Sequence, residues 1–203
     1  ICAAIYLHEF AKQNQFTHII RTMIDITTGI PSIIFGLVGA IVFIPMMNKT
    51  IQSSGGSIAS GALTLTIILL PTIIKTTEES LKAIPNSYRM ASLALGASKS
   101  QTTFKVILPN AVFGILTATL LSIGRIIGES AALIYAVGTA IKDSVAINEK
   151  STSLAVHIWS LMGGENPNYE LSCAISIIIL LIVGLVSLGV KLISRTINKT
   201  EVK

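Results

Sequence analysis

The chain has 203 residues, of which 51% are hydrophobic and only 12% are charged, and its formal net charge is +5. A soluble globular domain carries about 25% charged residues, so this composition excludes an ordinary soluble protein and indicates an integral membrane protein. The basic residues lie in loops between apolar runs, so membrane topology explains the net charge and no nucleic-acid partner is implied.

Uncharged apolar runs recur along the chain at about the 20-residue length that a membrane-spanning helix needs. They cover residues 26–47, 50–74, 106–124 and 171–190, and a run over 130–141 continues the third beyond two embedded charges. This pattern predicts an all-α fold, a polytopic transmembrane helix bundle.

The first residues, 1–7, form an apolar run too short to cross a bilayer, and the sequence does not begin with Met. We therefore expect the chain to be N-terminally truncated inside a span. The rest is expected to form a single transmembrane domain, taken as residues 1–203.

Two features of the apolar runs concern helix geometry. The Gly29-Ile30-Pro31 segment predicts a proline kink, with local unwinding as the alternative. Ser32 and Gly36, like Ser57 and Gly61, are small residues four apart, which predicts close helix packing.

Basic residues predict which loops lie in the cytoplasm, because positively charged loops are retained there. The segment 75–105 and the tail from Lys191 onward are rich in Lys and Arg, whereas 142–170 carries more acidic than basic residues. We expect the two basic segments to be cytoplasmic, together with 8–21 and the C-terminus. Residues 48–52 and 142–170 are then outside.

The basic loop contains two consecutive signals for short helices. Gly96 follows a stretch with helical spacing and predicts a left-handed helix stop. Ser98 and Gln101 have the spacing of a capping box, which opens a second helix, and Pro109 predicts a break before the next span. Two short helices that meet at a glycine corner form a compact knob suited to a groove on a partner protein, although an ordinary basic loop has similar signals.

A cation and an anion interrupt the third apolar run. Ser122, Arg125 and Glu129 share one helix face by their spacings of three and four, and Ser130 follows directly. Charged residues within a membrane normally face a protein interior or an aqueous path, so these four residues are candidates for a substrate path. An unpaired guanidinium can hold an oxyanion with two hydrogen bonds. The alternative is an Arg125–Glu129 pair that neutralises itself within the helix.

The basic loop resembles the docking loop of ABC-importer permeases, Glu-Ala-Ala-x3-Gly-x9-Ile-x-Leu-Pro, with every spacing intact. Four positions keep the family residue and three depart from it. The retained residues are Ala91, Gly96, Leu108 and Pro109, and the replacements are Met90, Ser92 and Val106.

Four other segments are similar to a narrower group. Residues 30–37, 70–79, 124–129 and 156–159 resemble the A-type permease subunit of phosphate-specific ABC importers, within the MetI-like permease family. This resemblance implies six helices, of which the chain would lack the first and most of the second. It implies inorganic phosphate as the substrate, crossing a cytoplasmic membrane at a path that includes the 124–129 segment.

The resemblance also implies partners: a homologous second permease of the C type, a pair of ATPase subunits and an external phosphate-binding protein. It places a coupling loop at residues 76–109, of which we name 85–109 the docking knob. The residues expected to contact the ATPase are Tyr88, Arg89, Met90, Ala91, Ser92, Gly96, Leu108 and Pro109.

The sequence contains no Gly-x4-Gly-Lys-Ser/Thr phosphate-binding loop, so energy from ATP is expected to come from a partner and the chain itself is not expected to be an enzyme. Two cysteines far apart in sequence do not suggest a metal or redox site, and no cofactor is predicted. The alternatives are a permease for another oxyanion, such as molybdate or sulfate, and an ion-coupled secondary transporter.

Overall fold

A computed structural model describes residues 1–53, 55–142 and 146–200, apart from the side chains of 190 and 193–200. Within these ranges every regular element is a helix and none is a strand, which confirms the all-α prediction. The predicted loops lie partly outside the described residues, at 54, 143–145 and 201–203.

The helices are numbered in chain order, and three wider π-helical turns connect some of them. The helices are α1 (Cys2–Ile5), α2 (Gln15–Gly29), α3 (Ser32–Val38), α4 (Ile44–Ile51), α5 (Ile58–Lys82), α6 (Asn86–Ala94), α7 (Lys99–Thr102), α8 (Leu108–Gly128), α9 (Ala131–Ala136), α10 (Leu154–Met162) and α11 (Tyr169–Thr200). The π-helical turns are Tyr6–Phe10 after α1, Gly39–Phe43 between α3 and α4, and Thr103–Ile107 between α7 and α8.

Four helical stretches in the described residues are long and apolar enough to cross a membrane: Ser32–Ile51, Ile58–Lys82, Lys99–Gly128 and Tyr169–Gly189. They confirm the four predicted runs, but their bounds differ from those of the uncharged runs. A helix does not stop at the first charged residue, because long charged side chains at its ends extend toward water. Residues 76–82 of the predicted coupling loop therefore belong to α5.

The break predicted at Pro109 is wrong, since Lys99–Gly128 is one continuous helical stretch. Proline lacks an N–H, and its ring crowds the carbonyl four residues earlier. The π-helical turn directly before it widens the helix, and the Leu108 N–H reaches back to the carbonyl of Thr103. The wider turn accommodates the proline without ending the helix.

The kink predicted at Gly29-Ile30-Pro31 is also wrong, because the helix is interrupted there. α2 ends at Gly29 and α3 begins at Ser32, and Pro31 has an extended backbone with φ −57° and ψ 135°. A proline disfavours helical geometry in the residue before it, which explains why Ile30 lies outside both helices.

The chain divides into two compact units, of which the first comprises residues 1–28, 71–122 and 188–203. Its core packs side chains of α1, the end of α5 and the region around the start of α8. The buried residues of this core are Ile5, Leu81, Ile84, Ile107, Ala111 and Ile115.

Charged side chains fasten α2 to α5 within this first unit. The Lys75 Nζ donates to Asp25 Oδ1 at 2.8 Å, and Arg21 Nη2 lies 3.8 Å from Glu78 Oε1. Arg21 also donates to the Leu7 carbonyl at 2.8 Å. The charges of α2 are therefore matched by charges at the last turns of a membrane-spanning helix.

The second unit comprises residues 29–70 and 123–187. Its small residues allow close backbone approach, as the four-residue spacing predicts: Gly36 faces the backbone of Ala132, and Gly61 faces the side chain of Val137. The buried Ser60 hydroxyl donates to the Ala136 carbonyl at 2.6 Å, which ties α5 to the end of α9.

Replacing Gly36 with Ala should destabilise the second unit, because a Cβ there would lie 2.7 Å from the Cα of Ala132. Backbone atoms cannot rotate away, so we expect a loss of about 2 kcal/mol, typical of overpacking. Thermal unfolding of the detergent-solubilised protein measures this loss. The matched control is Gly184→Ala, where a Cβ meets no atom within 4 Å. Equal melting temperatures for the two variants would contradict the close approach.

Candidate functional site

The docking knob turns at Gly96, whose φ of +84° lies in the left-handed region that favours glycine. The Gly96 N–H donates to the Leu93 carbonyl at 3.0 Å, and the Ala97 N–H donates to the Ser92 carbonyl at 3.2 Å. These bonds satisfy the last carbonyls of α6. The predicted helix stop is confirmed.

The second half of the knob begins with the predicted capping box. The Ser98 hydroxyl accepts a hydrogen bond from the Gln101 N–H at 3.3 Å, and the Gln101 side chain accepts one from the Ser98 N–H at 2.8 Å. Two N–H groups at the start of α7 are thus satisfied locally.

Arg89 fastens the knob to the rest of the first unit. Its guanidinium donates to Glu9 Oε1 at 2.8 Å and to the carbonyls of Leu81 and Ile84, each at 3.1 Å. Leu81 lies in the last turn of α5 and Ile84 lies two residues beyond its end, so neither carbonyl has an intrahelical partner. One guanidinium with its several donors satisfies both carbonyls and the carboxylate. Only 17% of the Arg89 side chain is exposed, so its polar end faces this anchor.

Glu9 was not predicted as a functional residue, because 80 positions separate it from Arg89 and no local motif marks it. Burial favours its neutral form, yet hydrogen bonds from Arg89 and His8 outweigh that effect and hold the pKa of Glu9 below its ordinary value of 4.5. The carboxylate therefore stays charged in the anchor.

Two residues that depart from the family pattern have visible roles. Ser92 places its hydroxyl 2.9 Å from the Thr102 hydroxyl, which joins α6 to α7 across the corner. Met90 is 67% exposed and adds apolar surface.

The outer face of the knob is apolar and is not covered by the described residues. Leu95 is 90% exposed, and Tyr88, Met90 and Leu93 beside it are also exposed. Large exposed apolar side chains grouped in one loop are typical of a protein-binding surface. Among the other predicted contacts, Ala91 and Pro109 are exposed, while Leu108 packs against the core.

The second candidate site surrounds the embedded charges. Arg125 lies in the last turn of α8, and its exposed guanidinium forms no hydrogen bond or ion pair with any described residue. The self-neutralising pair with Glu129 is therefore not formed in the described structure. The Ser122 side chain is buried, and its hydroxyl donates to the Ala118 carbonyl at 2.9 Å.

Glu129 does not continue the helix that carries Arg125, because α8 ends at Gly128. The predicted single helical stripe therefore stops one residue before Glu129. The Glu129 side chain instead accepts a hydrogen bond from the Ala132 N–H at 3.3 Å, and Ser130 precedes the first residue of α9. Glu129 is half-buried, and its hydrogen bond satisfies an N–H group in the first turn of α9.

Comparison with known proteins identifies the family of this chain. A family model described as the binding-protein-dependent transport system inner membrane component matches residues 1–199. The chain belongs to this family. The transport-subunit character of the family agrees with the prediction that the chain is not itself an enzyme.

Two curated relatives illustrate the family. The chain is 32% identical over 170 residues to the probable ABC transporter permease protein YqgI of Bacillus subtilis (strain 168), covering 77% of this chain and 56% of that protein. It is 35% identical over 162 residues to the phosphate transport system permease protein PstA of Haemophilus influenzae, covering 78% and 54%. The chain thus spans about half the length of these relatives.

A solved structure confirms the predicted MetI-like permease fold. The inward-facing MetNI methionine ABC transporter matches with a TM-score of 0.76 and 21% sequence identity, over 97% of this chain and 84% of that chain. This likeness concerns the fold alone.

Loss of the Glu9 charge should loosen the docking knob of this inner membrane component. Glu9→Gln removes the anion that faces Arg89, and we expect a loss of about 2 kcal/mol of unfolding free energy at neutral pH. Because the pKa of Glu9 is lowered in the folded state, its contribution is complete above pH 4.5 and falls as the pH drops through the folded pKa.

Chemical unfolding of the native protein and the Glu9→Gln variant between pH 7 and pH 3 measures this contribution. The difference between the two should shrink below pH 4.5. Glu165→Gln, at an exposed position, serves as the control and should leave stability unchanged. A Glu9→Gln difference that is independent of pH would contradict a charged anchor.

Proposed function

We propose that this chain is the membrane-spanning permease subunit of an ATP-driven importer that carries inorganic phosphate across the cytoplasmic membrane. The observation that carries the proposal is the docking knob, a rigid two-helix corner with an uncovered apolar face anchored to the end of a membrane span. Its rigidity comes from Gly96, the Ser98–Gln101 capping box and the Arg89 anchor.

The knob suits the transmission of force from an ATPase. A push on its apolar face reaches α5 through Arg89, since that side chain donates to the Leu81 carbonyl in the last turn of α5 and to the Ile84 carbonyl just beyond it. It reaches α8 through a continuous helix, because Lys99–Gly128 has no break. ATP binding and hydrolysis on a pair of partner ATPase subunits would thus rock both spans and alternate access to the path.

Arg125 is the proposed contact for the transported anion. It is exposed, carries no described intrachain partner, and lies in a membrane-spanning stretch where an isolated cation is costly. A guanidinium offers paired donors to a tetrahedral oxyanion. Ser122, Glu129 and Ser130 are its neighbours in sequence, and we propose that the substrate passes them at a boundary with a homologous second permease.

Phosphate is favoured over sulfate by the combination of Arg125 with Glu129. Phosphate at neutral pH still carries a proton that a carboxylate can accept, whereas sulfate has none and meets repulsion. Relatives named as phosphate permeases, including PstA of Haemophilus influenzae, support this substrate. An external phosphate-binding protein would deliver it.

Gly96→Val should uncouple transport from ATP hydrolysis. A β-branched residue at φ +84° costs about 1 to 2 kcal/mol and tilts α6 against α7. In reconstituted membranes, ATPase activity should no longer respond to the phosphate-loaded binding protein. Gly164→Val is the matched control, because a Cβ at Gly164 has no neighbour within 4 Å and its φ is not positive. Normal phosphate uptake by Gly96→Val would rule out the role of the corner.

Arg125→Gln should abolish phosphate uptake while the complex still assembles, because it removes the cation that faces the anion and breaks no described contact. Uptake of labelled phosphate is measured in cells that express the variant. The amount of assembled complex is determined by purifying it from the same cells. Near-normal uptake in an assembled variant would show that Arg125 is structural.

Two further variants sharpen the substrate test. Glu129→Gln keeps a carbonyl oxygen that can accept from the Ala132 N–H, so α9 should still form while the rejection of sulfate is lost. Lys142→Gln removes a cation from an exposed ion pair with Glu149 and should leave uptake unchanged. If sulfate or molybdate, and not phosphate, drives ATPase activity in the native complex, the phosphate assignment fails and the importer assignment stands.

A further inference from the structure

Helix α2 has three distinct sides, and the described residues cover one of them. Ile20 and Ile24 on the covered side pack against a small buried core. The second side is exposed and polar, and its residues are His18, Thr22 and Asp25. The third side, which we name the apolar flank, is exposed and consists of Phe16, Ile19, Met23 and Ile26. Spacings of three and four residues place each set on one face of the helix.

The divided exposure of α2 differs from that of α11, which is long and apolar enough to cross a membrane. The exposed apolar residues of α11 occupy adjacent positions around the helix, including Ile177, Ile178, Leu180 and Leu181. Such a helix is suited to acyl chains on several sides. A helix that exposes a polar side next to an apolar side is typical of the boundary between water and lipid.

Ion pairs place the start of α2 at the end of α5. Asp25 binds Lys75 at 2.8 Å, and Arg21 lies 3.8 Å from Glu78. The two helices are therefore antiparallel here, because moving back along α2 corresponds to moving forward along α5. Residues 13–18 precede Arg21, so they lie level with the last turn of α5, where a span meets the lipid headgroups. The basic residues of 75–105 predict that this end is cytoplasmic.

A cavity of about 480 Å³ lies at the start of α2. All of its lining residues lie between Gln13 and Arg21, and none of those described is acidic. Asn14 Oδ1 accepts from the Thr17 N–H at 2.9 Å, so the Asn14 amide nitrogen keeps two donors with no described acceptor. Arg21 donates to the Leu7 carbonyl at 2.8 Å, and its remaining N–H groups have no described hydrogen-bond acceptor. We name this space the donor-lined cavity.

The carboxylates near Arg21 lie in a second cavity, which α2 and α5 form on the other side of that residue. It is lined by equal numbers of acidic and basic residues: Asp25, Glu78, Glu79, Arg21, Lys75 and Lys82. The charges of the second cavity therefore balance one another. Lys12, next in sequence to Gln13 of the donor-lined cavity, is exposed, and its side chain forms no hydrogen bond or ion pair with the described residues. The donor-lined cavity is thus the side with an excess of positive charge.

We infer that the start of α2 binds an anionic phospholipid of the cytoplasmic leaflet, with its phosphate in the donor-lined cavity and its acyl chains on the apolar flank. The donors of Arg21 and Asn14 suit phosphate oxygens, and Lys12 matches the net negative charge of the headgroup. Ile19 both lines the cavity and belongs to the apolar flank, so one lipid molecule can contact both surfaces. The inference requires a membrane-spanning chain and no particular transported substrate.

Other ligands match only part of this surface. The ammonium of a zwitterionic lipid would lie near Lys12 and would meet no described carboxylate in the cavity. Free inorganic phosphate would satisfy the donors but would leave the apolar flank uncovered. An anionic phospholipid matches both the donors and the apolar side chains.

Photo-crosslinking in the intact complex tests the position of the acyl chains. A photoreactive amino acid replaces Met23 on the apolar flank or, as a control on the polar side of the same helix, Thr22. The complex is expressed in membranes with its native partner subunits, and adducts are identified by mass spectrometry. We expect lipid adducts at position 23 and clearly fewer at position 22. Equal lipid labelling, a protein adduct at position 23, or no adduct there overturns the inference.

The headgroup is tested with the purified complex in vesicles of equal parts phosphatidylglycerol and phosphatidylcholine. A photoreactive amino acid at Gln15, which lines the cavity, should label phosphatidylglycerol in preference to phosphatidylcholine. Lys12→Gln should lower this preference about fivefold, which corresponds to about 1 kcal/mol for one cation at a membrane surface. The control Lys49→Gln, at an exposed lysine outside the cavity, should leave it unchanged.

Three results of the headgroup test would overturn the inference. They are equal labelling of the two lipids, an unchanged preference in Lys12→Gln, and loss of the lipid adduct when inorganic phosphate is added. The last result would assign the cavity to a free anion.

The outcome is separable from that of the proposed function. Copurification of the partner subunits shows that each variant complex is assembled. A complex that imports phosphate but has no preference for phosphatidylglycerol rejects the lipid site alone. A complex that imports sulfate or molybdate and retains the preference rejects the phosphate assignment alone.

Discussion

The buried contact between Arg89 and Glu9 is the interaction on which the docking knob depends. A helix that leaves a membrane exposes its last carbonyls, and those of Leu81 and Ile84 would lack partners at the point where the chain turns into the knob. One guanidinium satisfies them and a carboxylate together. The outer face of α6 can then remain apolar and uncovered, because its fixing contacts all lie on the inner side.

Some charged side chains of this apolar chain are paired within the described residues, and others are not. Asp25 with Lys75 and Arg21 with Glu78 are matched within the first unit, where they hold α2 against α5. Arg125 and the Glu79 side chain have no hydrogen bond or ion pair in the described residues. An unmatched charge within a membrane is costly, so Arg125 is the side chain that we propose meets the transported anion.

Helix continuity differs between the two prolines, Pro109 and Pro31. The π-helical turn Thr103–Ile107 absorbs Pro109, so the knob is continuous with a membrane-spanning helix. The opposite occurs at Pro31, where no wider turn precedes the proline and the chain leaves the helix. The same residue type therefore lies within a continuous helix at one position and separates two helices at another.

Local signals in the sequence determined the membrane class, the four spans, the Gly96 corner and the capping box, because each depends on residues within one or two helical turns. Tertiary structure alone decided the partner of Arg89, since Glu9 lies 80 residues away. It also decided that the Arg125 side chain has no hydrogen bond or ion pair with the described residues, and that Glu129 lies beyond the end of α8. Spacing fixes a helix face only while the helix continues, and α8 ends at Gly128, between Arg125 and Glu129.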